Sequence, residues 1–295
     1  MKAVITGSTG LLGRYVRQVF ESNAVECLSL SRKSQDKFGT FYTDYSVKSL
    51  STILDESQVV IHLAGCRSEH SSILGYRDEV EILQNLLDVS LKQKVKSFIL
   101  ASSISVYSGA VPFRESDIPA PKSKYGLNKL LLEHICRQFN DKYALSVVVL
   151  RLSHLFGANE KNNYMINLFM RKAFSQTELQ VQGASTKRRE FLYAKDAAET
   201  IYKVCQKNLR GFHILNVPGS EALTNLEVAR KINLAFSNNA LRHEQKEKED
   251  PFSESYMSRE KILEILGASP ETSFLDAMKE IYEEMKLEND VPILY

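Results

Sequence analysis

The chain has little that would take it into a membrane or onto nucleic acid. No apolar run approaches the roughly 20 residues a spanning helix needs, and no positively charged leader precedes a long apolar stretch, the first such stretch reading as a strand. A net charge of +2 over 295 residues leaves no basic field for nucleic acid or an anionic membrane surface. Cysteine is scarce. Cys27, Cys66, Cys136 and Cys205 stand far apart with no C-x-x-C pair, so isolated reduced thiols and a cytoplasmic setting are expected. The six histidines are scattered and nothing has metal-ligand spacing; His62, inside the apolar run 59–64, reads as a core residue. Internal repeats and low-complexity tracts are also missing. What remains is ordinary globular composition, 43% apolar and 25% charged, enough for one large domain with a smaller lobe.

The first thirteen residues, M-K-A-V-I-T-G-S-T-G-L-L-G, run an apolar strand into a glycine turn and a helix with apolar positions at Leu11, Leu12, Val16, Val19 and Phe20. Gly7, Gly10 and Gly13 have the spacing G-x-x-G-x-x-G. Such a turn brings backbone close to a pyrophosphate and opens a helix whose N-terminal amides face it. Downstream, short runs at 25–29, 59–63, 97–102 and 146–150 are apolar throughout, and they alternate with helical patterns at 12–21, 79–92 and 125–140. Strands of that kind belong to a parallel sheet covered on both faces. The expected fold is α/β, a doubly wound parallel sheet of Rossmann type with a smaller C-terminal α/β substrate lobe. Residues 1–157 are expected to form the dinucleotide-binding domain, with part of 188–217 returning to it, and 158–295 mainly the lobe. Within the lobe, 164–174, 259–266 and 274–285 read as helices, 187–192 as a strand leading into a helix from Ala194, and the mixed-charge run 242–250 before Pro251 as a solvated loop.

Tyr125-Gly-Leu-Asn-Lys129 places a phenol and an ammonium at i and i+4 on one helix face. A neighbouring ammonium favours phenolate, and such a tyrosine can pass a proton to or from a sugar or alcohol oxygen while hydride moves at the attached carbon. Tyr282 and Lys286 repeat the spacing, but in a charged terminal helix with no strand before it, and read as surface. Upstream of Tyr125, Ser102, Ser103 and Ser105 stand at the end of the 97–102 strand, where a hydroxyl would face the same crevice as the cofactor.

Seven motifs carry a resemblance: T-G-S-T-G-L-L-G at 6–13, V-V-I-H-L-A-G at 59–65, S-S-I-S-V-Y at 102–107, Y-G-L-N-K at 125–129, R-L-S-H-L-F-G at 151–157, R-R-E-F-L-Y-A-K-D-A-A at 188–198 and N-V-P-G at 216–219. In this order they resemble the extended short-chain dehydrogenases/reductases, in the branch of NAD(P)-dependent nucleotide-sugar epimerases, dehydratases and reductases. The resemblance implies a nucleotide-sugar substrate. It makes Ser103 the catalytic serine, Tyr125 the acid/base, and Lys129 the residue that holds the ribose hydroxyls. Thr9, Leu11 and Leu12 would join the three glycines around the pyrophosphate, Asp44 would reach the adenine ring, and Tyr45 would stand beside it. Leu63, Ala64, Gly65 and Ala101 would line the cofactor's path to a nicotinamide bounded by Leu152, Ser153 and His154. Ser105, Tyr107 and His154 would line the sugar site, and Arg189 would hold the nucleotide diphosphate. Many relatives of this kind pair through a four-helix interface, so a homodimer is expected; helix 79–92 could serve it, or its apolar face could equally pack on the sheet.

Three departures narrow the chemistry. The second strand ends in Ser31, Arg32 and Lys33, where NAD-preferring relatives place an acid on the ribose 2′-OH. These residues suit a 2′-phosphate, so NADP is expected over NAD. Ile104 and Ser105 replace the acidic pair of the family's 4,6-dehydratases, which removes dehydration. Glu79 and His154 stand where the family often has Asn. The expectation is an NADP-dependent reductase acting on a keto group, C4 in the first instance, of a nucleotide-linked sugar. The alternatives are a C4 epimerase with tightly held NAD and, more remotely, an NADP-binding sensor or scaffold without turnover.

Overall fold

The computed structural model describes residues 1–32, 40–55, 57–65, 72–160, 162–244, 250 and 252–288. Lys33, Cys66 and Pro251, singled out above, lie outside them.

The first half of the chain runs β1 (Lys2–Thr6), α1 (Leu11–Ser22), β2 (Glu26–Ser31), β3 (Phe41–Tyr42), α2 (Val47–Ile53), β4 (Val59–His62), α3 (Arg77–Lys92), β5 (Ser97–Ser103), α4 (Lys124–Tyr143) and β6 (Val147–Leu152). It continues through β7 (His154–Phe156), α5 (Met165–Phe174), β8 (Leu179–Gln182), β9 (Arg189–Tyr193), α6 (Ala194–Lys207) and β10 (Phe212–Val217). The last elements are β11 (Ala222–Leu223), α7 (Asn225–Ala235), β12 (Leu241–Glu244), α8 (Glu260–Leu266) and α9 (Phe274–Glu288). Seven strands form one sheet in the order β10-β6-β5-β4-β1-β2-β3, every neighbouring pair parallel.

Continuous apolar strands are what a two-sided sheet demands, and the residues sort by parity. Ala3, Ile5, Val59, Ile61, Ile99 and Val148 face one core with Val16 and Phe20 of α1 and Ile201 of α6. Val4, Val60, Phe98, Val147 and Val149 face the other, with Leu50 of α2, Leu83 and Leu87 of α3, and Leu132 of α4. The order reverses between β1 and β4, so a crevice opens there beyond the carboxyl ends of the strands. The doubly wound parallel fold is as expected.

The remaining strands are short. β9 pairs with β7 and β11 in a three-stranded sheet, and β8 with β12 in a two-stranded one. The first core runs on without a break into this region through Val181, Val228 and Phe236. The run from residue 242 is not all loop: residues 242–244 belong to β12, in parallel register with Gln180 to Gln182. Tyr282 is no surface decoration either, since its ring packs on Phe236 at 4.8 Å and edge-on to Phe174. Among the described residues no helix is long and apolar enough to cross a membrane, no group of His, Cys, Asp or Glu is placed to hold a metal, and Cys27, Cys136 and Cys205 are free thiols.

Ionisable groups are sealed into these layers, His62 and Glu190 among them. His62 is held neutral, its pKa pushed down to about 3 by burial and then by the Lys129 charge; Thr6 Oγ1 lies 2.8 Å from its Nδ1. Glu190 on β9 is pushed up to about 8 by burial, against the backbone N–H groups of Met257 and Gly219 and the Arg259 charge, which lower it. For a carboxyl raised above its ordinary 4.5, the folded chain holds a proton that the unfolded chain has lost. Stability from this group is therefore full below about pH 4.5 and is lost as pH rises toward about 8. Urea midpoints of the Glu190→Gln variant are expected to fall less across that window than those of the parent; parallel slopes would contradict the assignment.

Candidate active site

The crevice at the strand ends is a cavity of about 890 Å³. At one end stands the turn between β1 and α1. Gly7 has φ of +70°, and a Cβ there would meet Ala64 N at 2.7 Å; a Cβ on Gly13 would meet the Gly7 carbonyl oxygen at 2.2 Å. Only glycine allows the strand, the turn and the helix to approach this closely. Gly10 caps α1 without a side chain, so the first amides of α1 are left for an anion, favoured there by ~0.3–1 kcal/mol from the helix dipole alone. Thr9, Leu11, Leu12, Ser31, Arg32, Tyr45, Leu63, Ala64 and Gly65 complete this arm. The glycine cradle and uncapped helix fit a dinucleotide.

At the centre, β5 and α4 bring the expected chemistry together. Ser103 ends β5 and caps the short 3-10 turn Ile104–Val106, its Oγ accepting from Ser105 N at 3.1 Å and lying 3.2 Å from Ser105 Oγ. Ser123 caps α4 by accepting from Gly126 N at 3.0 Å, which sets the start of the helix that carries Tyr125 and Lys129. Lys129, almost fully buried, reaches over the Tyr125 ring, 5.7 Å from its centroid, and donates to the Ala101 carbonyl at 3.3 Å. Ala101, Ser103, Ser105, Tyr125, Lys129, Leu152, Ser153 and His154 all line the cavity.

The far arm is built by β9 and the start of α5. Arg189 stacks on Phe252 at 4.1 Å and donates from Nη2 to Asn225 Oδ1 at 2.8 Å, while its buried Nε has no hydrogen-bond partner among the described residues. Burial pushes this guanidinium down from its ordinary value, opposed by the Asp250 carboxylate. An anion brought against Nε would satisfy the orphaned donor and favour the charged form.

Two expected residues lie outside the cavity lining. Asp44 is exposed, and its carboxylate turns to the start of α2, accepting from Ser46 N at 2.9 Å, which holds it below the usual carboxylate range. Tyr107 is buried behind β5. It donates to Asn216 Oδ1 at 2.8 Å, receives Arg151 Nη1 at 2.7 Å, and burial pushes its phenol up to about 12. Sequence reasoning also passed over lining residues: Asp78 of α3, Tyr164, Met165 and Asn167 around the start of α5, and Phe191 of β9. Residues 164–174 and 187–192 read as elements in the sequence, but periodicity alone does not place them against the strand ends. Glu79, noted only as a departure, lines the cavity and accepts from Asn128 Nδ2 at 2.9 Å.

Gly126 carries the tightest constraint on this centre. A Cβ there would lie 2.2 Å from the Ser105 carbonyl oxygen, so α4 touches the turn that follows β5 backbone to backbone. Gly→Ala inside a helix ordinarily stabilises by about 0.5–1 kcal/mol. Here Gly126→Ala is expected to lower the urea midpoint; a raised midpoint would show that the contact is slack.

A protein-family model described as the NAD dependent epimerase/dehydratase family matches residues 3–217. The crystal structure of a UDP-N-acetylglucosamine 4-epimerase from Bacillus cereus is 34% identical, with a TM-score of 0.89 over 97% of this chain and 99% of that one. An uncharacterized UDP-glucose epimerase of Bacillus subtilis (strain 168) is 22% identical over 94% of this chain and 96% of its own length. A UDP-glucuronic acid 4-epimerase from Bacillus cereus, solved with UDP-glucuronic acid and NAD, is 21% identical at a TM-score of 0.83, covering 98% and 100% of the two chains, and shares the fold. The family match runs from the glycine turn through both arms of the cavity, and the chain is an enzyme of the NAD dependent epimerase/dehydratase family, among the extended short-chain dehydrogenases/reductases.

Proposed function

We propose that the protein is a C4 epimerase of UDP-linked sugars that keeps NAD bound through the cycle, the lead substrate being UDP-N-acetylglucosamine. The observation that carries this is one continuous cavity in which Ser103, Tyr125 and Lys129 stand between a dinucleotide cradle and an arginine with an orphaned donor. The likeness to the Bacillus cereus UDP-N-acetylglucosamine 4-epimerase, at 34% identity over nearly all of both chains, supports the substrate.

This reading departs from the NADP-dependent reductase expected from residues 31–33. Arg32 Nη1 lies 3.9 Å from Asp78 Oδ2, and both residues line the cavity. A carboxylate at that place repels a 2′-phosphate and is compatible with a 2′-hydroxyl, the discrimination that an acid at the strand end makes elsewhere in this fold. The solved UDP-glucuronic acid 4-epimerase holds NAD, which supports the same choice.

In this account NAD supplies a hydride acceptor and, later in the cycle, the donor. Tyr125 takes the proton of the sugar 4-hydroxyl and returns it after the sugar has turned its other face. Ser103 Oγ hydrogen-bonds the same oxygen and holds it against Tyr125. Lys129, anchored on Ala101, places its ammonium over the Tyr125 ring, where it also reaches toward the ribose of the dinucleotide. Arg189 holds the diphosphate while the sugar turns. A homodimer belongs to the proposal, with α3 and α4 as its interface; Leu127 and Leu131 of α4 are 49% and 44% exposed.

Incubated with UDP-N-acetylglucosamine, the purified protein is expected to form the 4-epimer with no net oxidation of nicotinamide; stoichiometric consumption of NADPH by a 4-keto sugar, without interconversion, would support the reductase instead. Tyr125→Phe is expected to lower kcat by about 10²–10⁴-fold, the usual worth of a positioned acid/base, with NAD binding nearly unchanged. Retained turnover would remove Tyr125 from the chemistry. In calorimetric titrations of the apoprotein, Asp78→Asn is expected to strengthen NADP binding relative to NAD, and an unchanged ratio would remove Asp78 from cofactor choice.

A further inference from the structure

Tyr125, Lys129 and residue 133 follow one another at four-residue spacing on α4, and residue 133 is a glutamate with 3% exposure. Its carboxylate accepts from Arg151 of β6 at both oxygens, from Nε at 3.1 Å and from Nη2 at 2.6 Å. It also accepts the hydroxyl of Ser102, the residue before Ser103 on β5. Arg151, 2% exposed, passes the linkage on through Nη1 to the Tyr107 hydroxyl, and from there to Asn216 of β10, whose backbone N–H donates to Glu115 at 2.7 Å. One buried network thus ties α4, β5, β6 and β10 together behind the cavity.

We propose that Glu133 is a positioning residue for catalysis: paired with Arg151, it clamps Ser102 to α4 and so fixes Ser103 against Tyr125. The proposal rests on the roles given above to Ser103 and Tyr125. A buried ion pair is weak as a stabilising device, because apolar residues of similar volume often serve as well or better. Stability therefore does not explain why two charges occupy a site that Leu132 and Cys136 border on the same helix. Geometry does. The serine comes from a strand, the tyrosine from a helix, and a displacement of about 1 Å between them can cost about 10²-fold in rate. Gly126 keeps helix and strand from standing apart at the first turn of α4; Glu133 holds them two turns further on, through a contact with fixed direction.

The test uses the full chain loaded with NAD. Glu133→Gln keeps the shape and loses the charge, and Glu133→Leu with Arg151→Met removes both charges, so that a folded protein without the clamp can be measured. In both, kcat for UDP-N-acetylglucosamine epimerisation is expected to fall about 10- to 100-fold, with KM and bound NAD near the parent values. The double variant is expected to keep the parent urea midpoint. Amide hydrogen exchange is expected to quicken at residues 101–106 and 124–129 together, a readout that needs no substrate. A folded double variant with parent kcat, or unchanged exchange in both segments, overturns the clamp. A parent protein that interconverts no UDP-sugar contradicts the proposed function instead, and the exchange measurement still decides the clamp.

Discussion

The contact between the first turn of α4 and the end of β5 is what the rest of the molecule serves. The proposed proton transfer at a sugar oxygen needs a serine hydroxyl and a tyrosine hydroxyl on the same atom, and Ser103 and Tyr125 would supply them from two different elements. Gly126 lets the Ser105 carbonyl touch helix backbone, Ser123 sets where the helix begins, and the Ala101 carbonyl receives the Lys129 ammonium. Each of these is a short-range device. None would act without the parallel sheet that brings β5 and β6 side by side and seats α4 across them.

The topology then explains why one cavity does two jobs. Reversal of strand order between β1 and β4 opens a crevice beyond the carboxyl edge, and the glycine turn after β1 forms its first wall. The same edge carries Ser103 at the end of β5 and Leu152 at the end of β6, while β7 and β9 add His154, Arg189 and Phe191 from the smaller sheet. Because the apolar core continues from the large sheet into the C-terminal elements, the far wall is packed against the first rather than tethered to it by a linker.

Much of this was legible in the residues. The strands buried on both faces announce themselves as apolar runs, and their observed bounds differ from the expected ones by one or two residues. The glycine triplet and the Tyr125–Lys129 spacing are local patterns, and local patterns survive without coordinates. What was not legible depends on distant partners. Tyr107 reads as a cavity residue until its hydroxyl is found between Arg151 and Asn216, 44 and 109 positions away. Arg32, just past β2, is faced by Asp78 of α3, a pairing that no local pattern announces. The short strands of the smaller sheets span only two to five residues, too few for periodicity to separate them from loop.

In the proposed cycle hydride leaves and returns to the same carbon of the sugar while Tyr125 holds the proton. A UDP-N-acetylglucosamine labelled with deuterium at C4 tests this most directly, with the 4-epimer analysed by mass spectrometry and NMR. The account predicts an epimer that keeps its deuterium at C4, with none in solvent or in added nicotinamide nucleotide. An epimer whose C4 hydrogen comes from solvent or from free NADPH would contradict it.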